Sequence, residues 1–159
     1  MCKIIDNFLN PEEHFKLKTL LESNLFPWYF IKNTVDESTD LYDYHFAHIY
    51  YCDDKIKSDY FDSLKILIDN INIKKLIRAR ANLTPASHKQ TKTLIHKDQS
   101  FKCKVAIYYV NTNNGYTNID GKKIQSIENR IVFFNNERHY GTTTTDSKNR
   151  ILINLNYII

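Results

Sequence analysis

Glycine, proline and cysteine are all scarce in this sequence, with three of each among 159 residues. So few glycines and prolines exclude a collagen-like repeat, a linker-rich chain and a low-complexity chain. Cys2, Cys52 and Cys103 are far apart and odd in number, so the sequence predicts neither a disulfide framework nor a Cys-x-x-Cys metal site. We therefore expect a protein of the reducing cytoplasm.

Long apolar runs and a strong charge bias are also missing. No apolar stretch reaches the roughly 18 residues of a membrane span, and Asp6 interrupts the opening where a signal peptide needs an apolar run, so we expect no membrane association. The formal net charge is +4, and 17 of the 22 basic residues are lysines. Because the basic groupings at Lys74–Arg80 and Lys122–Lys123 are short, a solvated lysine surface is favoured over a nucleic-acid-binding face.

The sequence does contain enough apolar residues for one globular core. Hydrophobic residues make up 42% and charged residues 25%, as in ordinary globular proteins. A domain is roughly 100–200 residues long, so the length predicts one domain over residues 1–159 and excludes a two-domain enzyme. We divide this domain into a helical support, residues 1–75, and a β-barrel core, residues 76–159.

Two helices are predicted in the first half of the chain. Asn10-Pro11-Glu12-Glu13 supplies an N-cap, a first-turn proline and a capping-box glutamate, so a helix begins near residue 11. Its apolar residues recur at helical spacing and predict a buried face: Phe15, Leu17, Leu20, Leu21 and Leu25. A second helix is predicted over residues 56–71. Between the helices we expect loops and a strand around Phe46–Tyr51.

The second half of the chain has the composition of short strands. Runs rich in Ile, Val, Tyr, Phe and Thr predict strands at Leu76–Leu83, Thr93–Asp98, Lys104–Val110, Tyr116–Ile119, Lys122–Ile127, Arg130–Phe134 and Arg150–Ile158. Asn114-Gly115 and Asp120-Gly121 are hairpin dipeptides that require a positive φ, and they predict three strands in antiparallel succession. The pattern favours a small antiparallel β-barrel or double-sheet jelly roll, with the helices covering one face of the sheets.

Two histidines and an aspartate in the β-rich half form a candidate metal site. On a strand, His96 and Asp98 project from the same face about 6–7 Å apart, and His139 from a distant segment would complete a triangle. Two histidines and one carboxylate are the facial triad of non-haem Fe(II) oxygenases. Taken alone, the pattern is also compatible with zinc or with no metal.

The C-terminal strand suggests a polar cavity near these residues. Its alternation places Arg150, Leu152, Asn154 and Asn156 on one face, and the other face is apolar: Ile151, Ile153, Leu155 and Tyr157. An arginine and two amides on an inner strand favour a polar cavity over a dry core. Arginine is suited to binding a carboxylate in a bidentate manner. The alternative is an exposed edge strand with a solvated Arg150.

The order of these motifs resembles a known family. The H-x-D motif is followed by His139 and, eleven residues later, by Arg150; Ile107–Asn111 reads Ile-Tyr-Tyr-Val-Asn, and Arg130–Phe134 precedes the second histidine. In this the sequence resembles the 2-oxoglutarate and Fe(II)-dependent dioxygenases, within them the prolyl-hydroxylase-like branch. The resemblance covers residues 76–159, and the opening at residues 4–13 is also typical of these enzymes.

The resemblance implies a fold, cofactors and an activity. The fold would be a double-stranded β-helix with supporting helices. His96, Asp98 and His139 would bind Fe(II), which uses O2, and Arg150 and Tyr109 would bind the distal carboxylate of the cosubstrate 2-oxoglutarate. Asn82 would be a further cofactor ligand, and no catalytic residue beyond these is implied. The implied reaction is the hydroxylation of a protein or peptide side chain.

Several alternatives stay open at this level. A nucleic-acid demethylase or hydroxylase on the same scaffold would need a basic stripe beside the site, for which the residues to inspect are Arg78, Arg80, Lys89 and Lys92. A small-molecule substrate and a non-catalytic jelly-roll binding module are further possibilities. We expect residues 29–51 and 84–93 to form the mouth of the site. The other histidines are expected to be packed or exposed: His45 and His48 packed or in solvent, His14 and His88 exposed.

Overall fold

The computed structural model describes residues 2–33 and 43–159. In chain order, the elements of these residues are β1 (Lys3–Ile5), α1 (Pro11–Glu22), β2 (Tyr29–Ile31), β3 (His45–Cys52), β4 (Lys55–Ile56), a 3-10 turn (Phe61–Leu64), α2 (Lys65–Ile68), β5 (Lys75–Pro85), β6 (Lys104–Tyr109), β7 (Tyr116–Ile119), β8 (Lys122–Gln125), β9 (Arg130–Phe134), β10 (His139–Gly141) and β11 (Asn149–Ile158). None of the helices in this part of the chain is long and apolar enough to cross a membrane.

These strands form two antiparallel sheets. Among the described residues, the larger sheet has eight strands in the order β1-β9-β6-β11-β5-β3-β2, with β4 paired to β3. The smaller sheet has three strands in the order β10-β7-β8. The prediction of an antiparallel double-sheet fold is therefore confirmed. Strands β1 to β4 of the first half of the chain also belong to the larger sheet.

The core has two layers that follow the alternation of β11. One cluster joins the apolar face of β11 to the helices and includes Leu17, Leu67, Ile151 and Ile153. The second cluster includes Ile107 on the opposite face, together with Val132 and Leu152, and Ile124 of the smaller sheet. The helices thus cover the outer face of the larger sheet, and the inner face turns toward the smaller sheet.

Helix α1 begins as predicted, but its apolar face is narrower. The Asn10 side chain accepts a hydrogen bond from the Glu13 amide at 2.9 Å, which is the expected N-cap. Leu17 and Leu21 are buried, whereas Phe15 is 67% exposed and Leu25, beyond the end of the helix, is 86% exposed. The stripe was overestimated because a helix resting on a sheet buries only the side that contacts it.

The second predicted helix, residues 56–71, is wrong in extent. Ile56 lies in β4, which returns from β3 through a tight turn with Asp53 and Asp54 both at positive φ. Only the 3-10 turn Phe61–Leu64 and the single turn of α2 are helical. Leu64 and Leu67 are both buried in the core. Short helical turns can bury residues at this spacing as well as a long helix can, so the spacing alone did not require a long helix.

One of the two hairpin predictions is confirmed. Asp120 and Gly121 have φ values of 47° and 85° and join β7 to β8. Asn114-Gly115, in contrast, adopts no positive φ and does not pair β6 with β7. Strand β6 pairs with β11 and β9 in the larger sheet, so this dipeptide marks a crossing between sheets.

The predicted strand Thr93–Asp98 is wrong as a strand, although the segment lies beside β10. Only isolated bridges form, Lys92 with Thr142 and His96 with His139. Side-chain hydroxyls replace parts of the ladder, since the Gly141 amide donates to Thr93 Oγ1 at 3.2 Å. The segment still crosses the end of the smaller sheet and brings His96 next to His139.

Candidate active site

The inner faces of β5 and β11 form one wall of a cavity of about 90 Å³ between the two sheets. Arg150, Leu152 and Asn154 point into it from β11, as the alternation predicted. In register, β5 places Thr84 opposite Arg150, Asn82 opposite Leu152 and Arg80 opposite Asn154. The far wall comes from β7, β10 and the segment around residues 91–98, and includes Thr117, His139 and Thr142.

His96, Asp98 and His139 converge in this cavity. Each offers a ligand atom, and the three atoms all lie within 4.8 Å of one another. Asp98 Oδ2 is 3.9 Å from His139 Nε2, and the centroids of the two imidazole rings are 4.6 Å apart. His139 is buried, and the Asp98 side chain is 3% exposed. Such a cluster has the size of a site for one metal ion.

The two histidines are oriented in the same way. His96 Nδ1 lies 3.0 Å from the Leu94 carbonyl oxygen, and His139 Nδ1 lies 3.0 Å from the Glu137 carbonyl oxygen. A carbonyl oxygen only accepts, so Nδ1 carries the proton in both rings and the lone pair is on Nε2. Two neutral imidazoles with free Nε2 atoms beside a carboxylate are the donor set that Fe(II) and Zn(II) take. The residues present therefore fit a divalent metal ion.

Asp98 is held ionised by its surroundings. Arg78 Nη2 donates to Oδ1 at 2.7 Å, and the side-chain amides of Asn154 and Asn156 donate to Oδ2 at 3.0 and 3.1 Å. Burial alone would raise the pKa of Asp98, but His139, Arg78 and the Asn154 amide outweigh it and hold the pKa at about 2. A ligand that is already deprotonated releases no proton when a metal binds, which favours binding near neutral pH.

Arg150 lies at the other end of the cavity, fixed by hydroxyl groups. It is 3% exposed, its Nε donates to Ser126 Oγ at 2.7 Å, and its Nη2 donates to Thr117 Oγ1 at 2.7 Å. These partners carry no charge, so the positive charge of the guanidinium is available to a ligand in the cavity. The alternative of a solvated Arg150 on an edge strand is excluded, because β11 lies between β5 and β6.

Tyr109 is buried beside Arg150, behind Thr117, which lines the cavity. Its hydroxyl donates to Thr117 Oγ1 at 2.9 Å, and its ring centroid is 5.6 Å from Arg150 Cζ. Among the described residues, those that line the cavity do not include Tyr109. Thr117 Oγ1 accepts from both Tyr109 and Arg150, so its own proton is free to point toward a ligand. The direct role of Tyr109 toward a carboxylate stays a prediction.

Three further polar groups on β5 face the same cavity. Asn82 lines it, as expected of a cofactor ligand, and its Oδ1 is buried without a hydrogen-bond partner. Arg80 and Thr84 line it on either side of Asn82. Burial and the neighbouring Arg78 lower the pKa of Arg80 to about 10, which leaves the guanidinium charged at neutral pH. The role of Asn82 as a cofactor ligand stays a prediction.

The basic stripe required by the nucleic-acid alternative is not formed by the four residues named for it. Arg78 is bound to Asp98, and Arg80 faces the cavity. Lys89 and Lys92 are exposed, but two lysines do not make a basic face. The sequence interpretation missed the inward direction of both arginines, although their shared face with Asn82 was the available signal.

The remaining histidines divide differently from the prediction. His14 is buried, not exposed, with Nδ1 2.7 Å from the Tyr108 hydroxyl. His48 packs among aromatic rings and lies between the Pro27 carbonyl and Ser58, as a packed histidine should, and His88 is exposed. His45 is buried and lines the cavity, where burial and Arg80 lower its pKa to about 4.

The predicted mouth is confirmed in part. Tyr44 from the first segment and Thr84, Thr91, Lys92 and Thr93 from the second line the cavity or its rim. Residues 34–42 of the first segment lie outside the described residues.

Comparison with known proteins rests on structure. No family model and no curated protein matches the sequence. The fold matches a 2OG-Fe(II) oxygenase family oxidoreductase from Burkholderia pseudomallei, with a TM-score of 0.70 and 9% identity over 99% of this chain and 84% of that one. It also matches a prolyl hydroxylase from Trichoplax adhaerens in complex with a peptide fragment of hypoxia inducible factor. That match has a TM-score of 0.66 and 16% identity over 99% of this chain and 83% of that one. A prolyl-4-hydroxylase from Pseudomonas putida matches with a TM-score of 0.64 and 9% identity, over 99% of this chain and 92% of that one.

These neighbours share the double-stranded β-helix that the two sheets form here, over nearly the whole chain. The chain therefore has the fold of the 2-oxoglutarate and Fe(II)-dependent oxygenases, several of them prolyl hydroxylases, and carries a candidate facial triad, His96, Asp98 and His139, in its cavity.

Proposed function

We propose that this protein is a non-haem Fe(II) and 2-oxoglutarate-dependent dioxygenase that hydroxylates a protein or peptide side chain. The observation that carries the proposal is that three convergent metal donors and a buried arginine share one cavity. A metal-free binding module gives no reason for two imidazole Nε2 lone pairs and an ionised carboxylate to converge on one point, whereas a metal ion requires that arrangement.

The protein residues would divide the work by position. His96, Asp98 and His139 would hold Fe(II), which when bound with 2-oxoglutarate and O2 supplies the oxidising chemistry. Arg150 would pair with the distal carboxylate of 2-oxoglutarate, and the Thr117 hydroxyl would donate a second hydrogen bond to it. Fixing that end orients the rest of the cosubstrate toward the triad, and the surrounding walls exclude bulk water.

A protein or peptide substrate is the finer part of the proposal. Two of the structural neighbours are prolyl hydroxylases, one of them solved with a peptide fragment. The rim of the cavity supports it, since Tyr44 is 37% exposed and its ring centroid lies 5.8 Å from that of Phe30, which is 60% exposed. Aromatic side chains beside a cavity are suited to contact a peptide.

The test is a pair of calorimetric titrations without oxygen. We expect Mn(II), standing in for Fe(II), to bind the wild type, and His96→Ala, Asp98→Ala and His139→Ala to weaken binding by more than about 100-fold, because each removes a ligand. His88→Ala, at an exposed histidine, is the matched control and should leave the affinity unchanged. Arg150→Lys keeps the positive charge but loses the paired N–H donors of the guanidinium. It should weaken the binding of 2-oxoglutarate about tenfold and leave metal binding intact.

Turnover then separates the possible failures. The Fe(II) protein should form succinate from 2-oxoglutarate and add one oxygen atom to a member of a panel of proline-containing peptides. Absence of metal binding in the wild type would overturn the enzyme assignment. Metal binding without 2-oxoglutarate binding would leave a metal-dependent protein of another kind, and succinate formation without peptide oxidation would overturn only the peptide substrate.

A further inference from the structure

Arg80 is a second arginine that lines the cavity, half-buried, and it makes no direct ion pair in the part of the chain that the structure describes. Its Nε is enclosed and makes no hydrogen bond. Arg78 donates to Asp98, and Arg150 donates to Ser126 and Thr117, but no ion pair or hydrogen bond within residues 2–33 and 43–159 involves Arg80. An enclosed Nε–H without an acceptor, on a charged group that is partly withdrawn from water, is costly, so its retention needs a reason.

The direction of the side chain suggests that reason. Arg80 lines the cavity and stands opposite Asn154, whose amide binds Asp98, so it flanks the candidate metal site. The adjacent inward residue of the same strand, Asn82, also leaves a buried polar atom, Oδ1, unpartnered. Two neighbouring unsatisfied groups on one cavity wall are what a binding site presents before its ligand arrives.

The balance of charge favours an anion. If the proposed function holds, the two positive charges of Fe(II) are neutralised by Asp98 and the proximal carboxylate of 2-oxoglutarate, and Arg150 is neutralised by the distal carboxylate. Among the residues that the structure describes, Arg78 and Arg80 then stay beside the metal with Lys92 at the rim, against the carboxylate of Asp43. The described walls of the loaded cavity therefore keep a surplus of positive charge next to the place where a substrate would react.

We propose that Arg80 binds a carboxylate of the substrate, so that this cavity selects an acidic substrate over its neutral analogue. The proposal rests on the proposed function, which supplies the reason for a substrate to enter the cavity. A guanidinium pairs with a carboxylate through two parallel hydrogen bonds, which would fix the orientation of the substrate as well as its charge. Asn82 would contact the same ligand from the adjacent inward position on β5.

The test observes the arginine Nε–H groups directly in ¹H–¹⁵N correlation spectra. The chain has five arginines, so the spectrum is simple, and Arg80→Lys assigns the Arg80 signal by its loss. The protein is loaded with Zn(II), a diamagnetic substitute for Fe(II), and 2-oxoglutarate, and is then titrated with sodium acetate as the probe. We expect a saturable shift of the Arg80 signal, with no saturation at the exposed Arg138, the internal control.

A second variant removes the charge and keeps a polar side chain. In Arg80→Gln, the shift that acetate causes in the Asn82 side-chain amide signal should need about tenfold more acetate, the effect of losing a charged hydrogen bond. Acetamide, the neutral analogue, should shift neither signal. Thermal unfolding of each variant shows whether it is folded.

Each other outcome overturns the proposal in a recognisable way. If 2-oxoglutarate itself shifts Arg80 and acetate then has no effect, the anion is the cosubstrate's own carboxylate. If acetate shifts Arg80 no more than Arg138, the cavity has no second anion site. Failure of the proposed function is seen separately, as unchanged His96 and Arg150 signals on adding Zn(II) and 2-oxoglutarate, and the acetate titration of the unloaded protein still tests Arg80.

Discussion

At the scale of single residues, the cavity is built by side chains whose partners lie far away in sequence. Asp98 binds Arg78 and two asparagines of β11, and Arg150 binds hydroxyls of Thr117 and Ser126. Each contact fixes one side chain of the candidate site from another segment of the chain. The site therefore depends on backbone spacing as much as on the ligands themselves.

Gly115 shows how tightly Arg150 is enclosed. A Cβ built on Gly115 would lie 2.7 Å from Arg150 Cδ, 2.8 Å from Asn113 Oδ1 and 3.2 Å from the Thr143 carbonyl oxygen. We predict that Gly115→Ala destabilises the fold by roughly 1–3 kcal/mol through overpacking and also weakens 2-oxoglutarate binding, because Arg150 must move. Urea unfolding and calorimetric titration measure the two effects.

The matched control for this variant is Gly121→Ala. Gly121 has a φ of 85° with nothing within 4 Å of the added Cβ, so alanine there strains only the backbone. It should cost about 1–2 kcal/mol and leave 2-oxoglutarate affinity unchanged. Equal affinities in both variants would contradict the steric role of Gly115.

At the scale of elements, Asn129 joins the N-terminal segment to the larger sheet. Its Oδ1 accepts from the Leu9 amide at 2.9 Å and from the Tyr108 hydroxyl at 3.0 Å, and its Nδ2 donates to the Leu9 carbonyl at 2.8 Å. Its backbone has a φ of 58°, which asparagine tolerates better than most residues. This residue positions the start of α1 against β6 and β9.

We predict that Asn129→Ala lowers the free energy of unfolding by about 3 kcal/mol, because three buried hydrogen-bonding groups lose their partner. Asn7→Ala is the control, since Asn7 has a similar φ of 52° but is exposed and makes no side-chain hydrogen bond among the described residues. It should cost only about 1 kcal/mol. Denaturant unfolding followed by the fluorescence of Trp28, the single tryptophan, measures both.

At the scale of the whole molecule, buried histidines make stability depend on pH. Burial lowers the pKa of His14 and of His48, and burial with Arg80 lowers the pKa of His45 to about 4. The unfolded chain therefore binds more protons than the folded chain below the ordinary histidine pKa of about 6.5. This contribution to the free energy of unfolding is fully present above about pH 6.5 and is lost as the pH falls from there toward the lowered pKa values of the folded chain.

We predict that the metal-free protein loses stability between about pH 6.5 and pH 4, with His45 alone contributing about 3 kcal/mol over that range. Asp98 does not contribute there, because its pKa of about 2 places its loss at lower pH. His14→Gln removes one titrating group and should flatten the profile. Urea unfolding across the range measures it, and a flat wild-type profile would contradict the prediction.

The same scales separate what could be foreseen from what could not. Periodicity predicted α1, the strands β5 to β9 and the two faces of β11, because burial in one layer imposes a fixed spacing. It failed at residues 56–71 and 93–98, where apolar spacing or strand composition is present but sequence-distant partners decide the hydrogen bonding. Motif order identifies the candidate ligands His96, Asp98, His139 and Arg150. Thr117 and Gly115 have no such signal, and for Arg80 the signal is only the strand face that it shares with Asn82.

The sequence by itself determined the apolar pattern, the N-cap of α1 and the residue types able to hold a metal ion and a dicarboxylic acid. Only the tertiary structure decided which polar side chains meet. Strands paired across tens of residues bring Arg78 to Asp98 and leave Arg80 Nε without a hydrogen bond. The physical reason is that apolar burial depends on local alternation, while the pairing of a buried charge depends on register between distant segments.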